Sequence, residues 1–174
     1  MSSTTIPSTS VDARLDVPQG ICVLTHSKLN TEEIIDSVKD DGAGAIATFI
    51  GTTRNSFKGK VVTRLEYQAY SKLAIKTMAS IVERVSQSIL RSEHTPEVLR
   101  TDRSSLLRCS LYHRLGIVPV GEASIVIAVS SPHRKEAFVA CEQILEEVKQ
   151  KLQVWKREFY EGEDESTAEW KENR

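Results

Sequence analysis

Two pairs of basic side chains, His133-Arg134 and Lys149 with Lys156, are the residues in this chain best suited to binding an anion or moving a proton. The first pair follows Ser131-Pro132, which reads as an N-cap and a first-turn proline opening a helix that runs to about residue 152. A helix start presents free N–H groups and the positive end of the dipole, so His133 and Arg134 there would complete a phosphate or carboxylate pocket. A solvated helix start explains the same residues equally well. On a wheel of about 100° per residue, Ala137, Cys141, Ile144, Val148 and Leu152 cluster on one face, which Leu145 and Phe138 extend. Lys149 falls on the border of that face. A border amine partly withdrawn from water has a lowered pKa and can serve as acid, base or nucleophile. The plainer reading is a lysine whose stem covers apolar surface while its head stays wet.

Lys156 lies two helical turns beyond Lys149 if the helix continues, with Trp155 beside it as an apolar wall. Arg54, in a polar loop after a glycine-bounded apolar run, is a further anion-binding candidate or an ordinary loop arginine. No Ser-His-Asp set, phosphate-binding G-x-x-x-x-G-K-[ST] loop or dinucleotide fingerprint is present. His26, His94, His113 and His133 lack metal-ligand spacing, and Cys22, Cys109 and Cys141 stand far apart, so no metal site is expected.

Several elements must position these groups. Short apolar or alternating runs at 21–24, 43–50, 61–67, 106–112 and 123–129 read as strands, that at 43–50 as a buried one. Asn30 with Glu33 resembles a capping box for a short helix to residue 38. Apolar residues at 74, 75, 78, 81, 82, 85 and 89 make 70–90 a long amphipathic helix. Strands mixed with two long amphipathic helices, without a regular βαβ repeat, indicate an α+β domain. Residues 1–19 are expected to be a disordered leader, 20–160 the domain, 91–105 a loop or insertion, and 161–174 an acidic, polar, loosely ordered tail.

The 174 residues are 40% hydrophobic, enough for one core, and the net charge of −1 argues against a general nucleic-acid binder. No apolar run approaches the ~18 residues that cross a bilayer. An odd number of scattered cysteines suits a reducing compartment, so a cytoplasmic, membrane-free protein is expected.

Three stretches carry a resemblance: 129–138 (VSSPHRKEAF), 145–149 (LEEVK) with 154–158 (VWKRE), and 44–55 (GAIATFIGTTRN). Together with 65–70 (LEYQAY) and 113–123 (HRLGIVPVGEA), they resemble the molybdopterin synthase large-subunit family over about residues 20–160. The resemblance implies an α/β hammerhead-type fold with mixed and antiparallel strands. It implies a homodimer of large subunits, each binding a small ubiquitin-like sulfur carrier that ends in Gly-Gly, to give a heterotetramer. It also implies a sulfurtransferase that uses the carrier's thiocarboxylate to convert precursor Z, a cyclic pyranopterin monophosphate, into the dithiolene of molybdopterin, with no separate cofactor. Lys149 and Lys156 match the family's catalytic lysines, His133 and Arg134 its substrate-anion pair, Arg157 and Glu158 its pocket motif, and Arg54 its N-terminal loop arginine. This chain has Gln153 where the family usually has proline, and its 91–105 segment is longer. The rival reading is a non-catalytic anion-binding or carrier-docking module of the same fold.

Overall fold

The computed structural model describes residues 8–90 and 108–174; the expected insertion at 91–105 lies outside them. Among the described residues, two sheets and three α-helices form the α+β architecture. The strands are β1 (Ala13–Val17), β2 (Gly20–Thr25), β3 (Ala45–Thr52), β4 (Ser56–Phe57), β5 (Lys60–Ala69), β6 (Arg108–Arg114), β7 (Gly116–Pro119), β8 (Ala123–Ser131), β9 (Val154–Tyr160) and β10 (Lys171–Glu172). The helices are α1 (Thr31–Asp36), α2 (Ser71–Leu90) and α3 (Arg134–Lys151). One sheet is mixed, in the order β1-β2-β6-β8-β3, with β2 and β6 parallel. The other is antiparallel, in the order β10-β9-β5-β4, with β7 also pairing to β5.

Strand β8 shows why the mixed sheet is covered on both faces. Its residues 124–131 are all buried, although successive side chains must point to opposite sides. Ile125, Ile127 and Val129 join the main core with α2 and α3. Val126 and Ala128 point the other way, into a small cluster with Leu29, Ile34 and Val38. Strand β3 differs from the buried strand expected at 43–50. It is the sheet's edge, so only Ala47 is fully buried while Ile46 and Ile50 remain exposed.

Two expectations about the chain ends need correction. Residues 13–17 of the expected leader form β1, paired antiparallel with β2. The leader also ties down the start of α2. The Ser71 N–H donates to the Thr9 carbonyl at 2.9 Å, the Val11 N–H to Ser71 Oγ at 3.0 Å, and the Ala69 N–H to the buried Ser10 Oγ at 3.1 Å. Likewise the acidic tail is built in: β10 pairs with β9, and Asn173 is buried. Polar composition concealed both, because these segments contribute backbone and single hydrogen bonds rather than apolar mass.

The helices keep their expected spans to within a residue or two. Asn30 accepts the Glu33 N–H at 3.2 Å, but α1 stops at Asp36. The N-cap of α3 is His133, not Ser131, which is still the last residue of β8. Phe138 does not extend the apolar face of α3; it is 67% exposed.

The parallel β2–β6 pair requires a glycine at its start. A Cβ on Gly20 would stand 1.7 Å from the Cys109 carbonyl oxygen, whose position the ladder fixes. Gly20→Ala is therefore expected to cost about 3 kcal/mol. Chemical denaturation should show the loss, with Gly59→Ala, where a Cβ meets nothing within 4 Å but φ is +78°, losing less.

Candidate active site

The chain turns from helix to strand over two residues. α3 ends at Lys151, Leu152 is already extended (φ −73°, ψ 133°), and β9 begins at Val154. The helix does not continue to Lys156, which is on a strand rather than two helical turns beyond Lys149. Gln153 makes the turn without proline: its carbonyl accepts the Tyr70 N–H at 3.1 Å, and its side-chain oxygen accepts the Thr77 hydroxyl at 2.9 Å.

Strand alternation then sorts the motif residues. Lys156 lies opposite Tyr67 and Glu158 opposite Leu65 in the β5–β9 pairing, and all four line one cleft of about 180 Å³. Arg157 points to the other face, where it meets Glu66 at 2.7 Å and lies over the Trp170 ring at 4.7 Å. The resemblance grouped Arg157 with the pocket, but within this chain it is a structural ion pair. Trp155 is also off the cleft, so it is not the wall expected for Lys156.

Lys149, from the last turn of α3, and Arg54 complete the cleft lining, together with Phe49, Phe57 and Ser124 among others. Arg54 is aimed by an irregular edge. The β3–β8 register shifts at Gly51/Thr52, skipping Ser124, whose hydroxyl donates to the Gly51 carbonyl at 3.2 Å. Buried Thr53 anchors the next step: its N–H donates to the Glu122 carbonyl at 3.1 Å, and its carbonyl accepts the Gly121 N–H at 2.7 Å. Arg54 itself is exposed, 5.8 Å from the Phe57 ring centre.

The electrostatics single out Lys149. Burial, and secondarily the nearby Lys156 ammonium, hold its amine below the usual lysine range. Its proton is therefore easier to give up than that of a surface lysine. Lys156 is 3.7 Å from Glu158, which also accepts the Tyr160 hydroxyl. Burial and that hydrogen bond push Tyr160 up to about 12. With Glu158 already engaged, Arg54, Lys149 and Lys156 leave the cleft with excess positive character, suited to an anionic ligand.

His133 and Arg134 are exposed at the opposite end of α3 and do not reach this cleft within one chain. Cys141 is a buried, free thiol pushed up to about 11 by burial, a core residue as expected. Among the described residues no group of three or more His, Cys, Asp or Glu side chains converges to hold a metal, and no helix is long and apolar enough to cross a membrane. A larger cavity of about 790 Å³ lies elsewhere, but two of its charges, Arg108 and Asp40, are paired with each other at 2.8 Å.

His113 and Asn173 carry a contact to the central lysine that no sequence motif marks. Asn173 Oδ1 accepts from Lys149 Nζ at 3.4 Å, and its amide nitrogen meets His113 Nε2 at 3.1 Å. The fully buried His113 also meets the Arg114 carbonyl at 2.8 Å and lies edge-on to Tyr67. Tail polarity gave no signal for Asn173; His113 stood within a strand motif without an assigned task.

Fold and cleft together define an α+β protein whose cleft is lined by Arg54, Lys156 and a partly desolvated Lys149. The family model described as "MoaE protein" matches residues 24–151, and the chain belongs to that family. It is 46% identical over 151 residues to the "Molybdopterin synthase catalytic subunit" of Pyricularia oryzae, covering 87% of this chain and 73% of that one. Among solved structures, molybdopterin synthase from Staphylococcus aureus matches with a TM-score of 0.65 at 26% identity, over 85% of this chain and 94% of that one. A complex of subunits 1 and 2 of the molybdopterin-converting factor from Helicobacter pylori matches in fold, with a TM-score of 0.58 at 18% identity, over 80% of this chain and 85% of that one.

Burial pushes His113 down to about 4, outweighing the hydrogen bond to the Arg114 carbonyl, with Lys149 adding to the depression. Between about pH 6.5 and 4 the unfolded chain therefore binds a proton that the folded chain refuses. Stability is expected to be full above pH 6.5 and to fall by about 1.4 kcal/mol per pH unit toward pH 4 from this group. Urea denaturation across that range, comparing wild type with His113→Gln, checks it: the variant should show the shallower slope.

Proposed function

We propose that this chain is the catalytic subunit of a molybdopterin synthase. In this reading it transfers sulfur from the C-terminal thiocarboxylate of a small ubiquitin-like carrier to precursor Z, opening the cyclic phosphate and forming the dithiolene. The observation that carries the reading is the Lys149 amine, held below its usual range beside Lys156 and Arg54 in one cleft. The thiocarboxylate and the phosphate are both anions, and each sulfur addition needs proton transfers. A lysine of lowered pKa can mediate them while Lys156 and Arg54 hold charge. The carrier supplies the sulfur, so no resident cofactor is needed. Free thiols at Cys22, Cys109 and Cys141 suit a cytoplasmic setting.

The same geometry supports a reading of the partners. The extended Gly-Gly tail of the carrier would enter beside Lys149 and Lys156 with its charged end toward them. His133 and Arg134 stand about 22 Å along the helix axis from Lys149, too far for one pterin phosphate to touch both ends of a single α3. A two-fold dimer of large subunits brings the His133-Arg134 end of one copy to the cleft of the other, and with two carriers makes a heterotetramer. The 67% exposure of Phe138, one turn from Arg134, supports a partner at that end.

Incubation with precursor Z and thiocarboxylated carrier, assayed for molybdopterin, tests the activity. Lys149→Ala should lower turnover by about a hundredfold or more while carrier binding persists. Carrier binding by the wild type without product would instead indicate a docking module. For the shared site, Lys149→Ala subunits are mixed and exchanged with His133→Ala/Arg134→Ala subunits. Half the dimers are then mixed with one intact site each, so about a quarter of wild-type activity should return. No recovery despite confirmed exchange would exclude a shared site.

A further inference from the structure

Lys149 lies between two cavities. One is the cleft with Arg54, Lys156 and Glu158; the other, about 150 Å³, is bounded by residues 149–155 and by Glu172, Asn173 and Arg174. On that second side the only hydrogen-bond partner found for the amine among the described residues is Asn173.

A chain of polarity fixes how Asn173 is turned. The Arg114 carbonyl can only accept, so His113 Nδ1 carries the proton and Nε2 is left as an acceptor. Asn173 must then offer its amide N–H to His113, which turns its oxygen toward Lys149, whose ammonium form can only donate. Its backbone is held as well, the N–H donating to the Val154 carbonyl at 3.1 Å while β10 pairs with β9. His113 is fully buried and packed against Tyr67, a cleft residue, so the relay ends on a rigid strand rather than in solvent.

We propose that Asn173 is a positioning residue for Lys149: its side-chain oxygen, locked toward the amine by His113, restrains that amine at the boundary of the cleft. The inference rests on the synthase reading for its consequence, not for its geometry. A terminal segment outside the catalytic motifs thereby directs the central lysine and offers an acceptor that favours its charged form. Other charged or titratable groups facing the amine or lining its two cavities are Lys156 and Glu158 from β9, Arg54 from the loop after β3, Tyr67 from β5, and Lys151, Glu172 and Arg174. None of these is altered in the test.

Trace labelling of amines with acetic anhydride across a pH series, read by mass spectrometry on the full chain, gives the titration midpoint of Lys149 without any turnover. Asn173→Leu removes the acceptor while keeping bulk, and should lower the midpoint by about half a pH unit. Asn173→Asp places a carboxylate at the same point and should raise it by about one unit. The exposed Lys39 should not move in either variant. In the synthase assay, Asn173→Leu should lower kcat about tenfold and leave KM for the carrier within about twofold. Midpoints that stay at the wild-type value, or move in the same direction, overturn the proposal, as does unchanged kcat. Should the leucine variant not fold, the aspartate variant decides alone: an upward shift supports the contact and none refutes it. Absence of product from wild type would count against the synthase reading, while opposed midpoint shifts would still establish the positioning contact.

Discussion

The change from helix to strand at Leu152 and Gln153 is the constraint on which the site depends. A helix and a strand joined by a loose loop would leave Lys149 and Lys156 free to diverge. Here the Leu152 N–H still donates to the Val148 carbonyl at 3.1 Å, while the Gln153 carbonyl already accepts from Tyr70. The helix end is thereby fixed against the start of α2, which Ser10 and its neighbours secure from the other side. β9 must then run beside β5, and its register delivers Lys156 and Glu158 to the face from which Lys149 arrives. Hydrogen bonds that Gln153 accepts from Tyr70 and Thr77 achieve what a ring would achieve by restricting the backbone.

Once the geometry is fixed, the electrostatics follow. Withdrawing an amine from water disfavours its charged form, and a second cation nearby disfavours it further. An isolated buried ammonium would simply stay neutral, but a neutral group cannot hold an anion. The cleft divides the work: Lys156 and Arg54 supply charge, Glu158 steadies Lys156, and Lys149, its pKa lowered by burial and by Lys156, gives up its proton more readily than a surface lysine. Such a division suits chemistry in which anionic groups are held while protons move.

How much of this was legible in the sequence depends on the kind of signal each element carries. Helix α2 announced itself by its repeating apolar face, and β8 by an apolar run long enough to serve two cores. Arg54, Lys149, Lys156 and Glu158 were singled out by residue type, border position and family resemblance, and the fold brings them to one cleft. Arg157 points away from the cleft within this chain because a strand of period two separates neighbours that a motif reads together. Strand β1 was missed because a polar edge strand such as Ala13–Val17 shows no buried stripe. Asn173 was invisible for a related reason: a single amide acting through two hydrogen bonds leaves no pattern in composition or periodicity.

Lys149 differs physically from the exposed lysines of the chain. An NMR titration of selectively labelled lysine side chains in the wild-type protein measures this directly. Lys149 should titrate at a lower pH than the exposed lysines, and well below Lys39, whose hydrogen bond to Asp36 raises it. A Lys149 that titrates together with the surface lysines would contradict the account.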